Sequence, residues 1–300
     1  MGMDEFQAVL KARELVRKVN PPSIPEPVDL YAQEVGAVIR AETDLGQDEA
    51  GYCFESNGKR FICTNANDRP ERQRFTVSHE VAHVRLGLPS QHTGLPWWSY
   101  AKRPLAEILC DVFAAELLLP YDLFHPEAER SSIGLSSIDD LAGRFQASVT
   151  ATGSRYAAVI GAPVAFVLSE QGKARYASRS KPLREAPAWI PPRLDLPAGS
   201  LSKKVREGTS TDSHDAVDVD IWFNEWERGG TLLEEVCHLA KWDQTLTLLW
   251  FEDGEVPGRK LRDERGRVYE EEETEDEALL KELDGQLRWP TKRHRLRPGS

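Results

Sequence analysis

The stretch Arg72-Gln73-Arg74-Phe75-Thr76-Val77-Ser78-His79-Glu80-Val81-Ala82-His83-Val84-Arg85-Leu86-Gly87 carries two histidines four residues apart, with a glutamate directly after the first. On a helix of about 3.6 residues per turn, His79 and His83 stack on one face. That is the spacing at which two imidazoles ligate one zinc ion, with Glu80 beside it to take a proton from an attacking water. A surface helix can carry such a pair by accident, and a five-residue pattern is too short to decide alone. The surroundings agree with the metal reading. Gly87 and Pro89 close a predicted helix over residues 71–86 in the way helices commonly end.

A catalytic zinc site needs a third protein ligand and one open position. The spacing predicts a second helix over residues 105–119, stopped by Pro120, whose apolar stripe is Leu105, Leu109, Val112, Phe113 and Leu117. Glu107, Cys110, Asp111 and Ala114 fall on another face of it. The alternative is a solvated acidic face, but with the histidine pair granted, Glu107 is the chosen third ligand and Glu116 the fallback. Asp111, one turn later, is placed to accept a hydrogen bond from the second nitrogen of a ligating histidine, which fixes the ring tautomer. Cys110 is a candidate inhibitory fourth zinc ligand, since a thiolate there would close the open position; the competing reading is a small buried hydrophobe. His92 and Tyr100, in the aromatic-rich loop before this helix, are candidate oxyanion donors.

Composition sets the wider limits. Three hundred residues suggest two domains with a small linker module. The net charge of -11 argues against a broad nucleic-acid-coating surface. There is no long uninterrupted apolar run and no basic-then-apolar start, so no membrane association and a cytoplasmic location are expected. The hairpin around Asn57-Gly58 places Cys53 opposite Ile62 and Cys63 opposite Tyr52, on opposite faces, so the four cysteines are expected to stay reduced. Its strand edge beside the metal helix could hold an extended peptide.

Outside that core, helices are expected over residues 4–19 and 28–38. Residues 137–145 and 149–160 read as a helix-turn-helix with Arg144 and Arg155 as its strong bases, a structural helix pair being at least as good a reading. Strands are expected at 164–168, 174–178, 217–223 and 246–251, with a helix over 232–242 and a loop-rich stretch at 182–215. An acidic block, 270–277, and a basic tail around Lys292-Arg293-His294-Arg295 end the sequence.

Residues 72–83, together with Glu107-Ile108-Leu109-Cys110-Asp111-Val112-Phe113-Ala114-Ala115-Glu116-Leu117-Leu118-Leu119-Pro120, closely resemble the two blocks of the ImmA/IrrE family of zinc metallo-endopeptidases. The resemblance implies an α+β architecture: a zincin-like, gluzincin metallopeptidase domain (1–127), a helix-turn-helix module (128–161), a GAF-like mixed α/β sensor domain (162–268) and a charged tail (269–300). It implies Zn2+ held by His79, His83 and Glu107, with Glu80 as catalytic base. The substrate class it implies is a partner helix-turn-helix repressor, cleaved to release stress or phage-defence genes. Cys110 is similar to a cysteine of defence-associated (CBASS) members, in which a cysteine switch and activation by DNA are discussed, so single-stranded DNA is a candidate activator. Many members carry an acid where Leu109 stands, so the choice of Glu107 follows the IrrE-like pattern. The rival from another class is a DNA-binding or ligand-sensing transcription regulator whose zinc is structural.

Overall fold

The computed structural model describes residues 3–46, 49–89, 104–226, 229–251 and 256. The chain opens with α1 (Glu5–Val19), whose start is fixed by a capping box in which Asp4 accepts from Gln7 N and the Gln7 side chain accepts from Asp4 N. Next come α2 (Val28–Glu34) and three strands, β1 (Ala37–Glu42), β2 (Gly51–Ser56) and β3 (Lys59–Asn65). The helix expected over 28–38 stops early because Gly36 turns the chain with φ +73, and Ala37 then enters β1. The sheet order is β1-β3-β2, with β1 parallel and β2 antiparallel to β3. Cys53 pairs with Ile62 and Cys63 with Tyr52, as the Asn57-Gly58 turn requires, and the cysteines of the described residues are free thiols.

The long α3 (Pro70–Leu86) follows, with proline at its first turn and Gly87 in the left-handed conformation past its end. Next are α4 (Leu105–Leu118), α5 (Tyr121–Arg130), α6 (Leu135–Phe145) and α7 (Val149–Val159). The first core gathers one face each of α1, α2, α3 and α4 over the small sheet, with Leu15, Tyr31, Ile62, Val81 and Phe113 fully or almost fully buried.

The rest of the described chain is β4 (Val164–Glu170), β5 (Lys173–Arg179), α8 (Lys181–Arg184), α9 (Leu201–Arg206), β6 (His214–Asp218), α10 (Val219–Trp222), β7 (Thr231–Leu239) and β8 (Gln244–Trp250). The five strands form an antiparallel sheet in the order β5-β4-β8-β7-β6. Side chains alternate across a strand. Phe166 and Leu168 of β4 therefore enter a second core with α5, α6 and α7, while Ala165 and Val167 face a third core with Trp222, Phe223 and Trp226.

Two expectations fail here for identifiable reasons. The stretch expected as a helix from Leu232 is β7, with Leu232, Glu234 and Val236 facing inward in alternation. The pattern is hidden by Glu234, a buried carboxylate that accepts from Leu201 N at 3.0 Å and from Ser202 N at 2.8 Å, capping α9 from the side. The alternating run 217–223 leaves the sheet at Asp218 and turns into α10.

The helix pair α6–α7 is joined by a short turn with Gln146 left-handed, and its second helix is covered on one side. Along α7 Ala151 is exposed and Thr150, Ser154 and Ala158 are half-buried, while on the opposite side Gly153 lies so close to Phe166 that a Cβ there would meet the ring at 2.6 Å. Arg155, expected as a basic contact, is instead buried against Glu116 at 2.7 Å. The other Glu116 oxygen takes Arg13 Nε at 3.3 Å and Tyr121 N at 3.0 Å, and both guanidiniums lie over the Tyr121 ring, at 5.0 and 5.9 Å. This node ties α1, α4, α5 and α7 together and removes Glu116 from consideration as a metal ligand. Truncating one partner of a buried ionic group strands the others in low dielectric, at about 3–5 kcal/mol. Glu116→Ala should therefore lower the urea unfolding midpoint sharply while leaving divalent-metal stoichiometry unchanged.

Candidate metal centre

The residue spacing on α3 and the packing of α4 across it build the site. His79, Glu80 and His83 are all buried, with potential ligand atoms within 4.8 Å of one another. Glu107, in the first turn of α4, reaches across to them and is itself 4% exposed. His79 Nε2 is 3.0 Å from His83 Nε2 and 3.1 Å from Glu107 Oε2; His83 Nε2 is 3.5 Å from Glu107 Oε1. Ligands bonded at 2.0–2.1 Å around a tetrahedral metal stand about 3.3 Å apart, so these three groups already have the separation of the edges of such a polyhedron.

The outer nitrogens fix the ring orientations. His83 Nδ1 is 3.3 Å from the Leu88 carbonyl, which can only accept, so Nδ1 carries the hydrogen and Nε2 offers its lone pair to the site. His79 Nδ1 is 2.9 Å from Asp111 Oδ1, the partner expected from the helix spacing. Burial by itself would lower the His79 pKa, but the hydrogen bonds to Asp111 and Glu107 outweigh it and raise the value to about 9 without metal. A proton between His79 and Glu107 thus stands where a divalent cation would stand. Carboxylates buried beside two imidazoles are the donor set a dication balances. The residues fit a metal, and their N,N,O composition fits zinc.

Strand β2 runs along α3 beside this centre. Gly51 packs so closely that a Cβ would come within 2.7 Å of Thr76 Cγ2. Two residues on, burial and then the Glu80 carboxylate push the half-buried Cys53 thiol up. Sequence reasoning passed over Gly51, for which a lone glycine inside a strand run was the available signal. Cys110 is fully buried in the first core, one turn beyond Glu107. His92 and Tyr100, with the rest of the 90–103 loop, lie outside the described residues, as do the acidic block and the basic tail.

Comparison with known proteins matches this unit. Residues 32–156 fit the family model Peptidase_M78, the IrrE N-terminal-like domain. Over those residues the chain is similar to the IrrE N-terminal-like domain. Two curated relatives are similar: the radiation response metalloprotease IrrE of Deinococcus deserti is 33% identical over 121 residues, 38% of this chain and 40% of that protein. Its namesake in Deinococcus radiodurans is 32% identical over 166 residues, 54% of this chain and 45% of that one. The chain thus spans less than half the length of either relative. Among solved structures, a Mycobacterium tuberculosis transcriptional regulator superposes with a TM-score of 0.52 over 81% of this chain and 75% of its own, at 15% identity, a likeness of fold alone. No helix among the described residues is long and apolar enough to cross a membrane.

Because metal uptake at this centre would displace the His79 proton, apparent Zn2+ affinity should rise about tenfold per pH unit below 9 and level off above it. In the metal-free protein the same proton contributes stability that is complete below the ordinary histidine pKa and is lost as pH rises through about 9. Chelator-competition titrations between pH 6 and 10 read the first effect. An Asp111→Ala variant should lose about 10–100-fold in affinity at neutral pH.

Proposed function

We propose that this protein is a zinc endopeptidase that cleaves a helix-turn-helix repressor and so releases stress or phage-defence genes. The observation that carries the reading is the convergence of His79, His83 and Glu107, with Glu80 buried next to them and left over from the three-ligand set. Zinc held by His79, His83 and Glu107 would supply Lewis-acid polarisation of the scissile carbonyl. Glu80 accepts the proton of the attacking water and delivers it to the leaving amine. Asp111 holds the His79 ring in place through Nδ1. Among the described residues β2 is an edge strand of its sheet, and its Cys53 feels the Glu80 carboxylate, so its backbone groups can pair with an extended substrate segment.

The substrate class is drawn from the family resemblance, and so is a DNA signal as activator. A cytoplasmic setting suits both the substrate and the reduced thiols. A Cys110 thiolate on the zinc would occupy the position the attacking water needs and keep the enzyme latent until α4 moved.

Co-expression with a neighbouring helix-turn-helix protein, with and without DNA damage, followed by intact-mass analysis, tests this reading. Wild type should generate two fragments from one peptide bond. Glu80→Gln should keep one equivalent of zinc yet lose about 10²–10⁴-fold in cleavage rate. Zinc loss in Glu80→Gln, or cleavage at the wild-type rate, would contradict the assignment.

A further inference from the structure

We propose that Phe75 is a positioning residue for His79, anchored in the second core, so that the metal helix is held from the side of the five-stranded sheet. The inference rests on the reading that His79, His83 and Glu107 hold a divalent metal. Helix α3 faces two cores. Val77, Val81, Ala82 and Leu86 pack into the first, whereas the half-buried Phe75 packs against the second, the core that gathers residues of α5, α6, α7, β4 and β8. Phe75 is also one turn before His79 on the same helix face, with ring centroids 6.1 Å apart and planes tilted by 39°.

The rings of His83 and Phe75 both flank the His79 imidazole, at 4.8 and 6.1 Å between centroids, and of the two Phe75 is the apolar one anchored in another core. Asp111 holds Nδ1, and Glu107 and His83 meet Nε2. Those bonds fix the two nitrogens; a packed neighbour is what restrains the imidazole from sliding sideways. The turn that carries Phe75 is itself clamped. Arg74 Nη2 lies 3.4 Å from the buried Glu26 carboxylate and 3.5 Å from the Phe145 carbonyl at the end of α6. At the start of the helix, Arg69 stands over the Trp242 ring, just past β7, at 5.7 Å. The first half of α3 therefore bears on the helix pair and the sheet, and the ring of Phe75 carries that support to a metal ligand.

The test uses the full chain and Zn2+ and Co2+ as probes. Phe75→Leu keeps an apolar anchor in the second core but removes the ring beside His79; Leu141→Ala opens the same core from α6, away from the site. Phe75→Leu should bind Zn2+ about tenfold more weakly in chelator competition, while Leu141→Ala stays within about twofold of wild type despite a lower melting temperature. The visible absorption of the Co2+-loaded protein should shift in Phe75→Leu and not in Leu141→Ala. Wild-type affinity and spectrum in Phe75→Leu, or equal weakening by Leu141→Ala, overturns the positioning role alone. A wild type that takes up neither ion overturns the metal reading together with it.

Discussion

Two imidazoles and a carboxylate, buried and brought within 3.0–3.5 Å of one another, form the constraint around which the first core is built. Such a set is poorly solvated and needs positive charge at its centre, either a proton on His79 or a dication. Holding the groups at metal spacing requires two helices locked in register. The first core supplies that lock through Val81 of α3 and Phe113 of α4, and Asp111 and the Leu88 carbonyl aim the rings.

The rest of the described chain stabilises this arrangement from behind. The buried Glu116 node joins α1, α4, α5 and α7, and the second core continues from the end of α4 into the five-stranded sheet. The helix pair is thus a packing layer between metal helix and sheet. Its one-to-one fit of Gly153 against Phe166 explains why a small residue stands mid-helix where none would help helix formation.

Much of the site was legible because it is local. His79, Glu80 and His83 follow from helical period alone, and Glu107 and Asp111 from polar positions on one face of a second helix. The Asn57-Gly58 turn likewise determined which face each cysteine takes. What escaped depended on long-range packing. Glu234 looks like a surface helix residue until the first turn of α9 is seen to bond it. Arg155 reads as a DNA contact until Glu116, 39 positions earlier, claims it. Helix α5 was missed since Pro126 sits inside it, a residue ordinarily read as a helix breaker. Gly51 has no sequence context that reveals Thr76 lying against it.

The most direct test is anomalous diffraction at the zinc edge from crystals of the zinc-loaded protein. One peak should lie about 2.0–2.1 Å from His79 Nε2, His83 Nε2 and a Glu107 oxygen, with Glu80 unbound. No peak between the two imidazoles, or one that the Glu107 carboxylate does not reach, would contradict the account.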